Sequence, residues 1–133
     1  MALVEILPWA AGLGLVLTLV VLTRRSASPS PDAWKLPAGL SLAFLAWSLA
    51  AIAVEGPTGF WPEHTRNMWG NQIWFDLLLG VGTAWALLLP RARAAGMQPW
   101  PWLALTLASG SIGLLATVAR LLWLEARQPP SAR

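Results

Sequence analysis

Apolar residues gather in four long runs, separated by short stretches that carry most of the charge. The runs cover about residues 2–23, 36–54, 72–89 and 101–124. Each is close to the ~20 residues that an ~30 Å hydrocarbon layer requires of a helix. None alternates apolar and polar positions with period two, as a transmembrane β-strand would. A helix satisfies its own backbone hydrogen bonds, which a lipid surround demands. The pattern predicts an all-α integral membrane bundle of four transmembrane helices, forming a single domain over residues 1–133.

The stretches between the runs support this division. The first run ends at Arg24 and Arg25. Ahead of its apolar stretch stands Glu5 rather than Lys or Arg, and the stretch is longer than a secretory signal needs, so a retained helix is expected. Residues 26–37 are rich in Ser and Pro and predict a loop. The second run closes at Glu55, Gly56 and Pro57, and residues 55–72 form the longest polar stretch. Pro90, Arg91 and Arg93 are expected to stop the third helix, and a short turn leads into the fourth. A polar tail from Glu125 to Arg133 follows.

Composition points the same way. The chain is 56% hydrophobic and 11% charged, against the roughly 25% charged residues of a soluble domain. So short a chain cannot bury that much apolar surface in a core of its own, and lipid must cover the rest. The lipid bilayer is thus the first expected partner. The net charge of +3 comes from basic residues scattered in ones and twos, which is no nucleic-acid surface. With no cysteine, disulfides, thiolate metal sites and thiol catalysis are excluded. There are ten Trp and no Tyr. Trp9, Trp34, Trp61, Trp69, Trp74, Trp100, Trp102 and Trp123 fall near run ends, where amphipathic rings settle at the interface. Trp47 and Trp85 lie deeper.

Four spans place both termini on one side. The stretches after the first and third runs hold Arg24, Arg25, Lys35, Arg91 and Arg93. By the positive-inside rule these face the cytoplasm of a cell inner membrane, with the N and C termini outside. The Arg-bearing tail argues in the opposite sense.

On this four-span reading, Glu5, Glu55, Glu63, Asp76 and Glu125 all fall toward the outer end. Asp76 in the third helix and Arg120 in the fourth then share a depth. An unpaired ion there costs ~2.5–3.5 kcal/mol, so the two are expected to pair. Asn67, Asn71, Gln72 and His64 stand nearby as further polar groups. The bland reading is a clasp between helices; the sharper one is a pocket for a headgroup or a substrate hydroxyl. Asp76, Arg120, Asn67, His64 and Asn71 are the candidate ligand-binding residues. His64 is the single histidine, and no ligand pair falls at i, i+3 or i, i+4, so no metal site is expected. No Gly-rich phosphate loop or nucleophile elbow is present, and no cofactor or catalytic residue is indicated. Small residues at Ala10 and Gly14, Gly80 and Ala84, and Ser109 and Gly113 have the spacing that lets helices approach closely.

Residues 67–127 resemble a family of small bacterial membrane proteins, the domain of unknown function 2834. The likeness lies in Asn67, Asp76 opening a helix, the turn with Gly96, Met97 and Trp100, the helix with Gly110, Ser111, Gly113 and Leu114, and the closing Glu125 and Arg127. The resemblance implies the membrane fold and no particular reaction. A looser similarity links the chain to membrane proteins of carotenoid metabolism and to the sterol-isomerase-like fold. This chain lacks the intramembrane His and Glu cluster that a carbocation isomerisation needs.

The first functional expectation is a non-enzymatic accessory or scaffold subunit, partnered by another membrane protein or by its own copies. The alternative is binding or isomerisation of a lipophilic ligand, an isoprenoid, pigment or lipid, at an outer-leaflet pocket. A small dimeric transporter ranks third, because Asp76 and Arg120 lie too near one face for a midplane site.

Overall fold

A computed structural model of the protein describes residues 3–24 and 30–128, with side chains from Glu5 onward. The start of the first run at Ala2, Arg25 with residues 26–29 of the Ser/Pro-rich loop, and the tail beyond Gln128 lie outside the described residues. The regular structure among the described residues is helical: α1 (Leu3–Arg24), α2 (Lys35–Glu55), α3 (Phe60–Thr65), α4 (Met68–Ala94), α5 (Pro99–Ser109) and α6 (Ser111–Arg127). Three of these, α1, α2 and α4, are long and apolar enough to cross a membrane.

The first two runs became helices close to their expected bounds. The third became longer at both ends. It starts early because Asn67 caps it, its Oδ1 accepting a hydrogen bond from the Gly70 N–H at 2.9 Å. It also continues a turn past Pro90, which was expected to stop it. Proline removes a single donor from the ladder. The turn beyond it is held from outside, since Ala92 is buried and Arg91 is bound by another helix. The stop comes at Gly96, with φ +75°. There the Gly96 N–H donates to the Arg93 carbonyl at 3.0 Å and the Met97 N–H to the Ala92 carbonyl at 2.9 Å. This is the left-handed glycine ending that folds the next apolar side chain onto the last turn. Met97 and Ala92 are accordingly buried together.

The fourth run corrects the four-span expectation. It is not a single helix over 101–124 but two, α5 and α6, divided at Gly110. Gly110 has φ +57° and ψ −123°, a conformation open to glycine and costly for other residues. Its N–H donates to the Thr106 carbonyl at 2.7 Å, closing α5. The chain then reverses, and α6 packs back along α5. Gly113 is the point of closest approach. A Cβ there would lie 2.6 Å from the carbonyl of Leu105 and from the nitrogen of Thr106. Ser109 and Gly113, expected on one face of one helix, thus stand on two. The Ser109 hydroxyl donates back to the Leu105 carbonyl at 2.7 Å, and Gly113 admits the opposing backbone.

The hairpin ties the rest together. With 11 residues α5 rises about 16 Å, roughly half of a hydrocarbon layer. α6 returns to the end at which α4 stops. There Leu121, fully buried, packs with Ala92 and Met97, surrounded by Leu88, Ala95, Trp102 and Leu124. On the other side α2 lies against α6, where the buried Ser41 hydroxyl donates to the Ile112 carbonyl at 2.9 Å. α3 packs on the start of α4. Among the described residues α1, α2 and α4 do not pack on one another. Every described side chain of α1 is exposed. Open space surrounds Gly14 and Gly80, so neither small-residue face is used within the chain.

Matched substitutions test the hairpin contact. Gly113→Ala forces two backbones apart and should cost about 1–3 kcal/mol. Gly80→Ala enters open space on a helix and should be neutral or slightly stabilising. Thermal unfolding in one detergent compares them; equal losses would mean that Gly113 is not a packing contact.

Candidate functional site

The sequence candidates divide into two places. Asn67, Asn71 and His64 meet where α3 turns into α4. A six-residue helix cannot hold itself in water or lipid, so the corner is closed by side chains. Asn71 Nδ2 donates to the His64 carbonyl at 2.8 Å, and the Asn67 Oδ1 caps α4. Gly70 lets the chain cross: a Cβ there would collide with the Glu63 carbonyl oxygen. Arg66 and Glu63 form an exposed ion pair at 3.1 Å.

Aromatic rings fill the corner. The His64 imidazole lies 4.9 Å from the Trp74 ring and 6.0 Å from that of Phe60. Phe60, Trp61 and Trp74 contact one another at 6.2–6.4 Å. Such separations suit tilted and edge-on aromatic pairs. The imidazole is therefore a member of an aromatic corner rather than a solvated loop histidine. An open groove runs beside it, lined by Asn67, Met68, Trp69, Asn71, Gln72 and Phe75. Its polar groups are amides, suited to hydrogen bonding a neutral or headgroup oxygen. Among the described residues no three His, Asp or Glu side chains gather as metal ligands would.

Asp76 follows one turn further along α4 and is exposed. It does not pair with Arg120, which corrects the expected clasp. The reason is the reversal at Gly110. Folding back carries Arg120 to the level of Leu88 and Leu121, twelve residues or about 18 Å of helix rise from Asp76. Arg120 lies instead over the Trp123 ring, its Cζ 4.5 Å from the centroid.

The ion pair that joins two of the long helices, α4 and α6, was missed. Arg91 donates from Nε to Glu125 Oε1 at 3.0 Å and from Nη2 to Glu125 Oε2 at 2.7 Å. Both hydrogen bonds are charge-assisted and parallel, the geometry in which Arg holds a carboxylate best. Counting four spans puts these residues on opposite membrane faces. The available signal was Gly110 itself, within the patch of small residues that the run carries at its middle.

No protein-family model, curated protein or solved structure matches this chain.

Double-mutant cycles separate the two pairings. Arg91→Gln and Glu125→Gln should show a coupling energy of about 0.5–1 kcal/mol, the upper range for a partly exposed pair. Asp76→Asn and Arg120→Gln should be additive. Coupling at Asp76 and Arg120, with none at Arg91 and Glu125, would reverse the assignment.

Proposed function

We propose that this protein is a non-enzymatic accessory or scaffold subunit of a bacterial inner membrane, binding another membrane protein through helix faces it leaves unpacked. One observation carries the reading: its three membrane-capable helices do not contact one another. Only the α5–α6 hairpin joins α2 to α4. The described side chains of α1 and most of those of α2 stay exposed, and the small-residue positions Ala10 and Gly14 in α1 and Gly80 in α4 meet no other helix. Between helices in lipid, close packing supplies the association energy, and small residues permit it. The partner is a second membrane protein or a further copy of this chain. The resemblance over residues 67–127 to the domain of unknown function 2834 agrees with this setting and adds no reaction. The amide-lined groove beside Asn67 and Asn71 favours a second reading, binding of a lipophilic ligand. That reading loses one intended partner, because Arg120 lies far from the groove.

We further propose three crossings and a re-entrant hairpin, with the N terminus outside and the end of α6 in the cytoplasm. Among the described basic residues, Arg24, Lys35, Arg91, Arg93, Arg120 and Arg127 then lie toward one face, and only Arg66 toward the other. The positive-inside rule makes the first face cytoplasmic. A four-span count leaves the basic tail on the wrong side; the hairpin removes that conflict.

A photo-crosslinking residue at Leu17 in α1 or Leu79 in α4 tests the scaffold reading. A discrete protein adduct is expected at these positions and none at buried Leu121. Recovery of the chain alone, with a retained isoprenoid or pigment in native mass spectrometry, would favour the ligand reading instead. The sidedness has its own test, helped by a chain with no native cysteine. Gln98→Cys and Gln128→Cys should react with an impermeant maleimide from the same side, and Thr58→Cys from the other. Opposite-side labelling of positions 98 and 128 would restore a continuous fourth span.

A further inference from the structure

The far end of α6 carries an arrangement that the scaffold reading does not use. Arg120, Trp123 and Arg127 stand at i, i+3 and i+7, one face of a helix. Both guanidiniums gather on the same indole: Arg120 Cζ lies 4.5 Å from the Trp123 ring centroid and Arg127 Cζ 3.7 Å. Both arginines are exposed, and no carboxylate bridges either among the described residues. The neighbouring carboxylate, Glu125, is held bidentately by Arg91.

We propose that Arg120 and Arg127, gathered on Trp123, form a binding site for the phosphate of an anionic phospholipid. Two like charges drawn to one ring repel each other, and an anion between them relieves that repulsion. Each guanidinium keeps its planar fork of N–H donors available, a geometry matched to phosphate oxygens. The indole orients both cations through its π face, so less side-chain freedom is lost when the anion arrives.

The position selects a lipid over a free anion. Arg120 lies seven residues, about 10 Å of rise, before Arg127. Its long stem lies along the helix while its charge reaches the interface, as basic side chains do at a membrane boundary. Trp100 and Trp102 begin α5 at this same end of the fold, where indoles mark the headgroup level. A ligand with a phosphate above and acyl chains below fits both the cations and the apolar stretch of α6 that precedes them. The leaflet assigned to this site rests on the cytoplasmic placement of the α6 end proposed above.

The full chain is to be reconstituted in vesicles of equimolar phosphatidylcholine and phosphatidylglycerol, extracted in mild detergent, and weighed with its retained lipids by native mass spectrometry. Wild type should retain phosphatidylglycerol in preference. Each of Arg120→Gln and Arg127→Gln should lower that preference about fivefold, and the double variant about 30-fold, at the attraction expected per basic residue near an anionic surface. Arg66→Gln, at the opposite end, should leave it unchanged. The single variants decide the matter if the double variant does not fold. Undiminished preference in both, or an equal loss with Arg66→Gln, would overturn the site. Displacement of the lipid by equimolar inorganic phosphate would make it a free-anion site and also overturn the proposal. The readout does not depend on which face the site occupies. Maleimide labelling of positions 98 and 128 from opposite sides, with lipid preference lost in the variants, would refute the hairpin topology and leave the site standing.

Discussion

A backbone reversal at Gly110 decides how α2, α4 and α6 are joined. Lipid offers no hydrogen bonds to an interrupted helix, so non-helical backbone survives at depth only where protein covers it. In the proposed re-entrant hairpin the covering is local and polar. The Gly110 N–H finds the Thr106 carbonyl, and Ser109 bonds back to Leu105. Ser41 reaches across from α2 to the Ile112 carbonyl. The absence of a side chain at Gly113 then lets α6 lie directly on the backbone of α5. Larger residues at these positions would hold the two segments apart and favour one straight helix.

The hairpin in turn serves as the wedge between α2 and α4, which otherwise share no contact. Two kinds of bond hold it there. A small apolar cluster of Ala92, Met97 and Leu121 forms where the α4 ending delivers Met97 onto the last turn. The two charge-assisted hydrogen bonds between Arg91 and Glu125 fasten the ends of α4 and α6 together. Burial from water drives little helix association inside a bilayer, since lipid tails are as apolar as leucine. Close approach and hydrogen bonding therefore account for the packing, and they are concentrated along α6. The opposite end of α4 depends on a separate device, the amide and aromatic corner with α3. The two ends are thus organised independently, one by arginine, carboxylate and indole, the other by amides and by tilted and edge-on rings.

Much of the local structure was legible in the sequence. The lengths of the apolar runs dictated helices, because ~20 consecutive apolar residues can satisfy their backbone in no other way within lipid. The Asn67 cap and the Gly96 ending were not read from the sequence, which set the third helix between residue 72 and Pro90. The tryptophans near run ends follow from the preference of indole for the interface. His64, Asn67 and Asn71 meet at one corner, since seven residues of chain keep them close.

The fourth run and the charged pairs were decided elsewhere. Hydropathy treats residues 101–124 as continuous, because Ser and Gly scarcely interrupt an apolar average. Whether such a stretch stays straight depends on what surrounds its middle: here a serine from α2 and the backbone of α5, neither visible in the local sequence. Once the run folds back, the residues after Gly110 change sides relative to a four-span count. Asp76 and Arg120 separate, and Arg91 and Glu125 meet. The sequence by itself determined that the apolar runs are helical and membrane-compatible, which rests on interactions within a few residues. Only the tertiary structure decided which charges share an end, because that depends on a single reversible direction of the chain at Gly110.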